Sequence, residues 1–122
     1  MKRDMDLVRE ILLAVEGGTL SFGDESEPDR FGHPRTVVLE HLHLMKQAGL
    51  VEVMGELLSG EVDLRGLTWD GHDFLDTVRD PEVWKRTKEG ASKMGGWTFG
   101  LIKDLATAYL KHVAKERLGL DL

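Results

Sequence analysis

The first regular pattern in the chain is an apolar stripe with three- and four-residue spacing, formed by Met5, Val8, Ile11, Leu12 and Val15. This spacing predicts an amphipathic helix from about Asp4 to Glu16. Asp4 is a good cap for its first turn, and Gly17-Gly18 is a good terminator.

A second stripe, formed by Val38, Leu42 and Met45, predicts a helix from about Pro34 to Ala48. Proline suits the first helical position, and Gly49 suits the left-handed residue that ends a helix. Between the two helices, residues 19–22 alternate and predict a short strand. The acidic, proline-containing residues 23–34 predict a surface loop.

After the second helix, apolar and polar residues alternate with a period of two. Leu50–Met54 and Glu61–Leu64 are predicted as the two strands of a hairpin, joined by a loop at residues 55–60. Thr68 then suits the cap of a third helix, on which Gly71, Phe74, Leu75 and Val78 share one face.

Asp80-Pro81 is typical of a helix start and predicts a short helix whose partial stripe is Val83, Trp84 and Thr87. Glu89–Gly96 contains three glycines and is predicted to be a hinge or linker. Thr98 is expected to cap a last helix that runs to about Leu118, where Gly119 ends it. The stripe of this helix is Phe99, Ile102, Leu105, Ala106, Tyr109, Val113 and Ala114.

These elements predict an α+β fold that is mainly α. We expect residues 1–80 to form one domain built of helices and a two-stranded hairpin. Residues 81–122 are expected to form a helical extension packed on the same core. A chain of 122 residues is long enough for one modest core.

Composition narrows the functional classes. The chain has no cysteine, which excludes disulfides, thiolate catalysis and cysteine-bound zinc. No apolar run approaches the roughly 20 residues that span a bilayer, and no secretory signal pattern follows Met1. We therefore expect a cytoplasmic protein without membrane contact.

The net charge of −6 disfavours binding to nucleic acid through bulk electrostatics. The charge is uneven, however. Residues 1–60 carry 6 Lys/Arg and 11 Asp/Glu, whereas residues 83–117 carry 8 Lys/Arg and 3 Asp/Glu. The basic second half fits a local anion-binding face, an attraction between subunits or segments, or an ordinary solvated helix surface.

Side chains that could act in catalysis or metal binding are concentrated between Leu67 and Asp76, where His72 lies near several aspartates. On a helix His72 and Asp76 are neighbours, so a local ion pair explains them without catalysis. His41 and His43 point to different faces and cannot share a metal; His41 is expected at the edge of the core and His43 in solvent. With no zinc-type, phosphate-loop or nucleophile pattern present, we predict no catalytic, cofactor or metal site and no enzymatic activity.

The three tryptophans have the largest apolar side chains in the chain. Trp69 and Trp84 lie on or beside apolar stripes and are predicted to be core residues. Trp97 follows the glycine-rich segment, and we predict that Trp97 and Phe99 dock the last helix onto the domain or onto a partner.

Two motifs carry a resemblance to winged-helix proteins. Ala48-Gly49-Leu50-Val51 resembles the end of a recognition helix and the start of the wing. Leu67-Thr68-Trp69-Asp70-Gly71-His72-Asp73-Phe74-Leu75 is similar to the Leu-Thr-x-x-Gly-x-x-Phe-Leu segment that follows the wing in several bacterial regulators. The resemblance implies a winged-helix-like, helix-turn-helix-like core with an added C-terminal helix.

The whole chain also resembles a bacterial and phage family known only as a domain of unknown function. The similarity rests on residues 1–9, on Leu67–Asp80, and on Leu101, Ile102, Lys103, Leu105 and Ala106. It implies the same winged-helix-like fold and a phage or prophage setting. It implies no catalytic residues.

The second helix departs from a DNA-reading helix. Leu39 and Glu40 stand where winged-helix regulators often carry Ser and Arg, and a glutamate repels phosphate. The segment between the first two helices also lacks the pattern of the bracing helix usual in such regulators. The remaining candidate DNA contacts are Arg35, Thr36, His43, Lys46 and Gln47 on this helix, Arg65 in the hairpin, and Lys85 and Arg86 in the basic second half.

Two functional hypotheses follow. The first is a non-enzymatic module, regulatory or protein-interacting, that binds a protein partner or a second copy of itself. The alternative is a DNA-binding transcriptional regulator that uses the hairpin wing and the basic C-terminal segment. Net charge and Glu40 favour the first.

Overall fold

The structure is a computed structural model that describes residues 2–18, 30–56 and 62–119. Helix α1 spans Met5–Glu16. The carboxylate of Asp4 accepts hydrogen bonds from the main-chain N–H groups of Asp6, at 2.9 Å, and Leu7, at 3.3 Å. The predicted cap is therefore confirmed. The apolar stripe faces inward and buries Met5, Leu7, Val8, Ile11, Leu12 and Ala14.

Helix α2 spans Arg35–Gln47 and follows a single 3-10 turn at Arg30–Gly32. Gly49 adopts φ +75°, as predicted for the residue that ends this helix. Its turn directs the main-chain N–H of Leu50 to the carbonyl of Met45, at 2.9 Å. The buried face of α2 consists of Val38, His41, Leu42 and Met45.

A two-stranded antiparallel hairpin follows, with β1 at Val51–Glu56 and β2 at Val62–Leu67. Both strands are longer than predicted. The register pairs Val51 with Leu67 and Val53 with Leu64, and it is interrupted by irregularities next to Val53. Both α1 and α2 pack against the hairpin, and Leu50 and Val51 at its start are buried.

Helix α3 spans Trp69–Val78, and its predicted face of Gly71, Phe74, Leu75 and Val78 is buried. Helix α4 spans Pro81–Met94 and is capped by Asp80, whose carboxylate accepts from the N–H groups of Glu82 and Val83.

The predicted hinge or linker at Glu89–Gly96 is wrong for residues 89–94, because α4 continues as far as Met94. Gly90 lies under the side chain of Tyr109, where an added Cβ would come within 2.8 Å of the Tyr109 hydroxyl. The glycine thus permits close helix packing and does not break the helix. Gly95, with φ +71°, ends α4.

Helix α5 spans Phe99–Leu118, with Thr98 as its cap and Gly119 at its end, as predicted. The Thr98 hydroxyl accepts from the N–H of Leu101 at 3.2 Å. Helices α4 and α5 pack against each other. Their buried side chains are Val83, Trp84, Thr87 and Ala91 on α4 and Ile102, Ala106 and Val113 on α5.

The chain divides into two compact units, Met1–Asp73 and Phe74–Leu122. The predicted α+β, mainly α class is confirmed by the five helices and one hairpin of the described residues. The division into residues 1–80 and 81–122 stays a prediction. The strand predicted at residues 19–22 and most of the acidic loop after it lie outside the described residues. In the ranges that the structure describes, no helix has the length and apolarity needed to cross a bilayer.

Candidate functional site

The segment from Leu67 to Asp76 begins with a hydrogen-bonded joint between the end of α2 and the start of α3. The Thr68 hydroxyl donates to the carbonyl of Gly49 and accepts from the N–H of Gly71, at 2.9 Å. The N–H of Thr68 donates to the carbonyl of Leu50 at 3.1 Å. The two motifs that resemble winged-helix sequences are therefore in direct contact.

Gly71 completes this joint because no side chain fits there. A Cβ at this position would overlap the carbonyl oxygen of Leu50 and lie 3.0 Å from its carbonyl carbon. The obstacle is main chain, which has little freedom to move aside. Thr68 and Gly71 thus hold α3 against the turn that ends α2.

The charged groups of the same segment have structural partners that differ from the predicted ones. His72 does not pair with Asp76; its Nδ1 lies 3.8 Å from Oε2 of Glu16 at the end of α1. Asp76 instead pairs with Arg79 at 3.0 Å. The four-residue spacing of His72 and Asp76 would also allow these two to pair with each other. In the structure, the end of α1 places Glu16 beside His72 instead. Across the described ranges, no group of three or more His, Asp or Glu side chains is placed to hold a metal ion.

His41 is fully buried, deeper than the predicted edge of the core. Its Nε2 accepts a hydrogen bond from the N–H of Asp4 at 2.9 Å, and its Nδ1 lies 2.8 Å from the carbonyl of Val37. Since a main-chain amide can only donate, Nε2 carries no proton and Nδ1 donates to Val37. The ring thereby ties the start of α1 to the middle of α2.

The candidate DNA contacts on α2 lie together on its outer surface. Thr36, Lys46 and Gln47 are exposed, and Arg35 and His43 are half-buried. Glu40 is also exposed in the same row, so a carboxylate interrupts the polar face at its centre. The first unit, residues 1–73, carries 7 Lys/Arg and 15 Asp/Glu, a balance of −8. This face therefore lies in an acidic unit.

Arg65 is exposed on β2 and is held by neighbours on β1. Its guanidinium lies 3.8 Å from the Glu52 carboxylate and 3.7 Å from the sulfur of Met54. Neither Arg65 nor Met54 has a partner in the strand register, so the two irregular positions of the hairpin face each other. An arginine beside a carboxylate offers a phosphate less charge than a free one.

Lys85 and Arg86 on α4 differ in their availability. Lys85 is exposed, whereas Arg86 binds the Glu82 carboxylate at 2.8 Å and lies 3.8 Å from Glu116. Arg117, near the end of α5, pairs with both Asp80 and Glu82. We call these five residues the α4–α5 charge cluster: Asp80, Glu82, Arg86, Glu116 and Arg117.

The cluster perturbs one carboxyl group clearly. The hydrogen bond from Arg117 lowers the pKa of Asp80, and the main-chain N–H groups of Val83 and Glu82 lower it further, whereas burial opposes the shift. Arg86 and Arg117 are thus partly neutralised by acids of their own unit.

The three tryptophans separate into different environments. Trp84 is buried, with 5% of its surface exposed, and the Lys88 ammonium lies 5.8 Å from its ring centre. The core prediction for Trp84 is confirmed. Trp69 is 82% exposed, so the core prediction for Trp69 is wrong. Trp97 is 37% exposed.

Helix phase explains the exposure of Trp69. At about 100° per residue, Trp69 lies roughly 200° around α3 from Gly71, opposite the buried face. The sequence signal was therefore present in the spacing of Gly71, Phe74, Leu75 and Val78. Trp69 is adjacent to this stripe in sequence, but its helical phase places it on the opposite side of α3.

Phe99, the second predicted docking residue, is half-buried and packs on Phe74, with 4.7 Å between ring centres and a 45° tilt. This ring pair stabilises the second unit internally. The remaining strongly exposed large apolar side chains in the described ranges are Met94 at 69%, Leu118 at 67% and Met54 at 62%.

Comparison with known proteins places this arrangement in a family. The hypothetical protein family DUF2513 matches residues 2–97. The chain belongs to the DUF2513 family. It is also similar to an uncharacterized protein of Haemophilus influenzae, with 40% identity over 91 residues that cover 72% of this chain and 76% of the relative. No solved structure matches the chain significantly.

The DUF2513 match includes the joint at Thr68 and Gly71, the exposed Trp69 and the whole of α4, and it ends at Trp97. Helix α5 begins two residues later, at Phe99. The predicted resemblance to a family of unknown function is thus confirmed over residues 2–97, and its extension to Leu101–Ala106 stays a prediction.

Proposed function

We propose that this DUF2513 protein is a non-enzymatic, winged-helix-like regulatory module that acts through contacts with another protein. The observation that carries the proposal is the exposure of Trp69, Met94, Leu118 and Met54, each by more than 60%. Tryptophan is enriched among the residues that contribute most to binding at protein interfaces, and methionine is also more frequent there than on the rest of the surface.

The order of α1, α2 and the hairpin supports the winged-helix-like part of the proposal, because both helices pack against the hairpin. The non-enzymatic part is supported by the structural roles of the residues that resembled an active site. Thr68 caps α3, His72 pairs with Glu16, and Asp76 pairs with Arg79. The resemblance noted from sequence supports a phage or prophage setting. A cytoplasmic location is proposed from the cysteine-free composition.

The alternative is DNA binding, and one observation favours it. Thr36, Lys46 and Gln47 lie exposed on α2 beside a hairpin that carries an exposed Arg65. Side chains of these types contact phosphates and base edges. Against this stands the −8 balance of the first unit, since phosphate binding depends on neutralising cations.

Site-specific photocrosslinking in the native host separates the two functions. A photoreactive residue is placed at position 94, at position 69 or at position 46, one at a time. We expect protein adducts at position 94 or 69, each confirmed by binding between the purified proteins. Nucleic-acid adducts at position 46 would instead support the regulator, and a lack of adducts at all three positions would contradict both functions.

A direct DNA assay gives the complementary result. Fluorescence anisotropy with a labelled duplex at two salt concentrations should show no binding. Binding that weakens steeply with salt would support the regulator. In that case Lys85→Glu is the sharper variant, because Lys85 is exposed whereas Arg86 already binds Glu82. Lys111→Glu, an equal charge change on the exposed side of α5, is the control.

A further inference from the structure

The first turns of α3 present an indole beside two carboxylates. Trp69, Asp70 and Asp73 are all exposed and fall within an arc of about 100° on the helix surface. Trp69 and Asp73 are neighbours at four-residue spacing, as are Asp70 and Asp73 at three. We name these three residues the Trp69 face.

The two carboxylates of this face are available for a ligand. In the described ranges neither Asp70 nor Asp73 makes a side-chain hydrogen bond or ion pair, whereas nearby His72 and Asp76 are paired with Glu16 and Arg79. The unit around them carries a balance of −8, which adds to the local negative potential.

We propose, building on the proposed function, that the Trp69 face binds an arginine-bearing segment of a partner protein. Charge complementarity selects the occupant. A purely apolar partner would bury Asp70 and Asp73 without compensation, which is unfavourable. An anionic partner would be repelled by them.

Arginine suits the face better than lysine does. A guanidinium stacks flat on an indole and still directs its N–H groups sideways to a carboxylate, so one side chain satisfies both Trp69 and an aspartate. A lysine ammonium makes a point contact and loses one of these two interactions. The arrangement therefore predicts selectivity between two ligands of equal charge.

The test titrates the full chain with an end-capped Gly-Arg-Gly-Arg-Gly peptide and with matched lysine and citrulline peptides. Binding is followed by NMR, using the indole N–H of Trp69, which is assigned by its loss in Trp69→Phe. We expect shifts confined to the first turns of α3. The arginine peptide should bind at least about threefold more tightly than the lysine peptide, and the citrulline peptide should not bind.

Variants locate the effect. Trp69→Ala should abolish the selectivity for arginine, and Asp70→Asn with Asp73→Asn should abolish binding. Glu40→Gln removes an exposed carboxylate from α2 of the same unit and should change neither. Trp69→Phe retains an aromatic ring and should keep part of the selectivity. That result would show that the loss in Trp69→Ala comes from the missing ring and not from altered folding.

Several results would overturn the assignment. Equal affinity for arginine and lysine peptides, with shifts spread over all exposed acids, would mean non-specific charge attraction. Shifts of the Trp69 indole with protein concentration alone would identify a second copy of the chain as the occupant. Protein crosslinks at position 94 without any at position 69 would leave the proposed function intact and remove only this face.

Discussion

The main chain of Leu50 occupies the space that a side chain at Gly71 would need. The carbonyl oxygen of Leu50 accepts the N–H of Thr68, so its position is determined by the same joint that starts α3. We expect Gly71→Ala to lower the free energy of unfolding by about 3 kcal/mol, because α3 must shift away from the turn after α2. Urea denaturation measures the change.

Gly66→Ala is the matched control for this prediction. Gly66 lies in β2 of the same unit, and an added Cβ there meets nothing within 4 Å. Its effect should stay within about 0.5 kcal/mol. Equal losses in the two variants would show that the contact between Gly71 and Leu50 is not the cause.

A second prediction concerns His41. His41→Leu keeps most of the buried volume but leaves the N–H of Asp4 without its acceptor, so we expect a loss of about 1–3 kcal/mol in the free energy of unfolding. The ring nitrogens give an independent check. Long-range ¹H–¹⁵N NMR should show His41 protonated at Nδ1 and unprotonated at Nε2; the reverse tautomer would contradict the assigned hydrogen bonds.

The contrast between two tryptophans gives a third prediction. Trp84→Ala should destabilise the protein by about 3–5 kcal/mol, because the side chain is almost fully buried. Trp69→Ala should change stability by no more than about 0.5 kcal/mol. Acrylamide should quench the fluorescence of Trp69 readily and that of Trp84 weakly. A large stability loss in Trp69→Ala would contradict the exposed position of Trp69 and indicate that it is a core residue.

Phe74 and His72 form a fourth pair for comparison, two residues apart on α3. Phe74 is 1% exposed and packs on Phe99, so Phe74→Ala should cost about 3–5 kcal/mol in unfolding free energy. His72 is exposed and its distance to Glu16 is long, so His72→Ala should have little effect. Thermal denaturation of both variants is sufficient. A His72→Ala variant that folds normally but loses partner binding would assign this side chain a functional role.

The fifth prediction concerns acid stability. The Arg117 hydrogen bond lowers the pKa of folded Asp80 below its ordinary value of 3.8. The stabilisation is therefore fully present above that value and is lost as the pH falls through the lower folded pKa. In Arg117→Gln, the NMR titration midpoint of the Asp80 carboxyl should rise towards 3.8. Lys111→Gln, a charge change elsewhere on α5, should leave it unchanged.

The positions of most helix starts and ends follow from local sequence. Asp4, Asp80 and Thr98 cap their helices with their own side chains, and Gly49 and Gly119 end helices in left-handed conformations. These features involve residues within a few positions of one another, so a linear pattern contains the necessary information. The hairpin and the α+β class were predictable for the same reason.

The length of α4 was not predictable in this way. Glycine lowers helix propensity, and three glycines between Gly90 and Gly96 indicated a hinge. The structure extends the helix across Gly90 because Tyr109 packs there, a residue 19 positions away. Tertiary packing outweighs a local preference of about 1 kcal/mol.

In the candidate site, too, the features local to one helix were predictable and the contacts between separate elements were not. Sequence alone identified Thr68 as a cap and Gly71 as part of a buried face, because both are properties of one helix. It identified neither the overlap of a Gly71 side chain with Leu50, nor the hydrogen bond between His41 and Asp4, nor the pairing of His72 with Glu16. Each of these joins separate elements, and only the folded chain determines which groups meet. The segment from Leu67 to Asp76, which in the sequence is a cluster of acids and a histidine, is in the structure a joint between helices from which Trp69 faces outward.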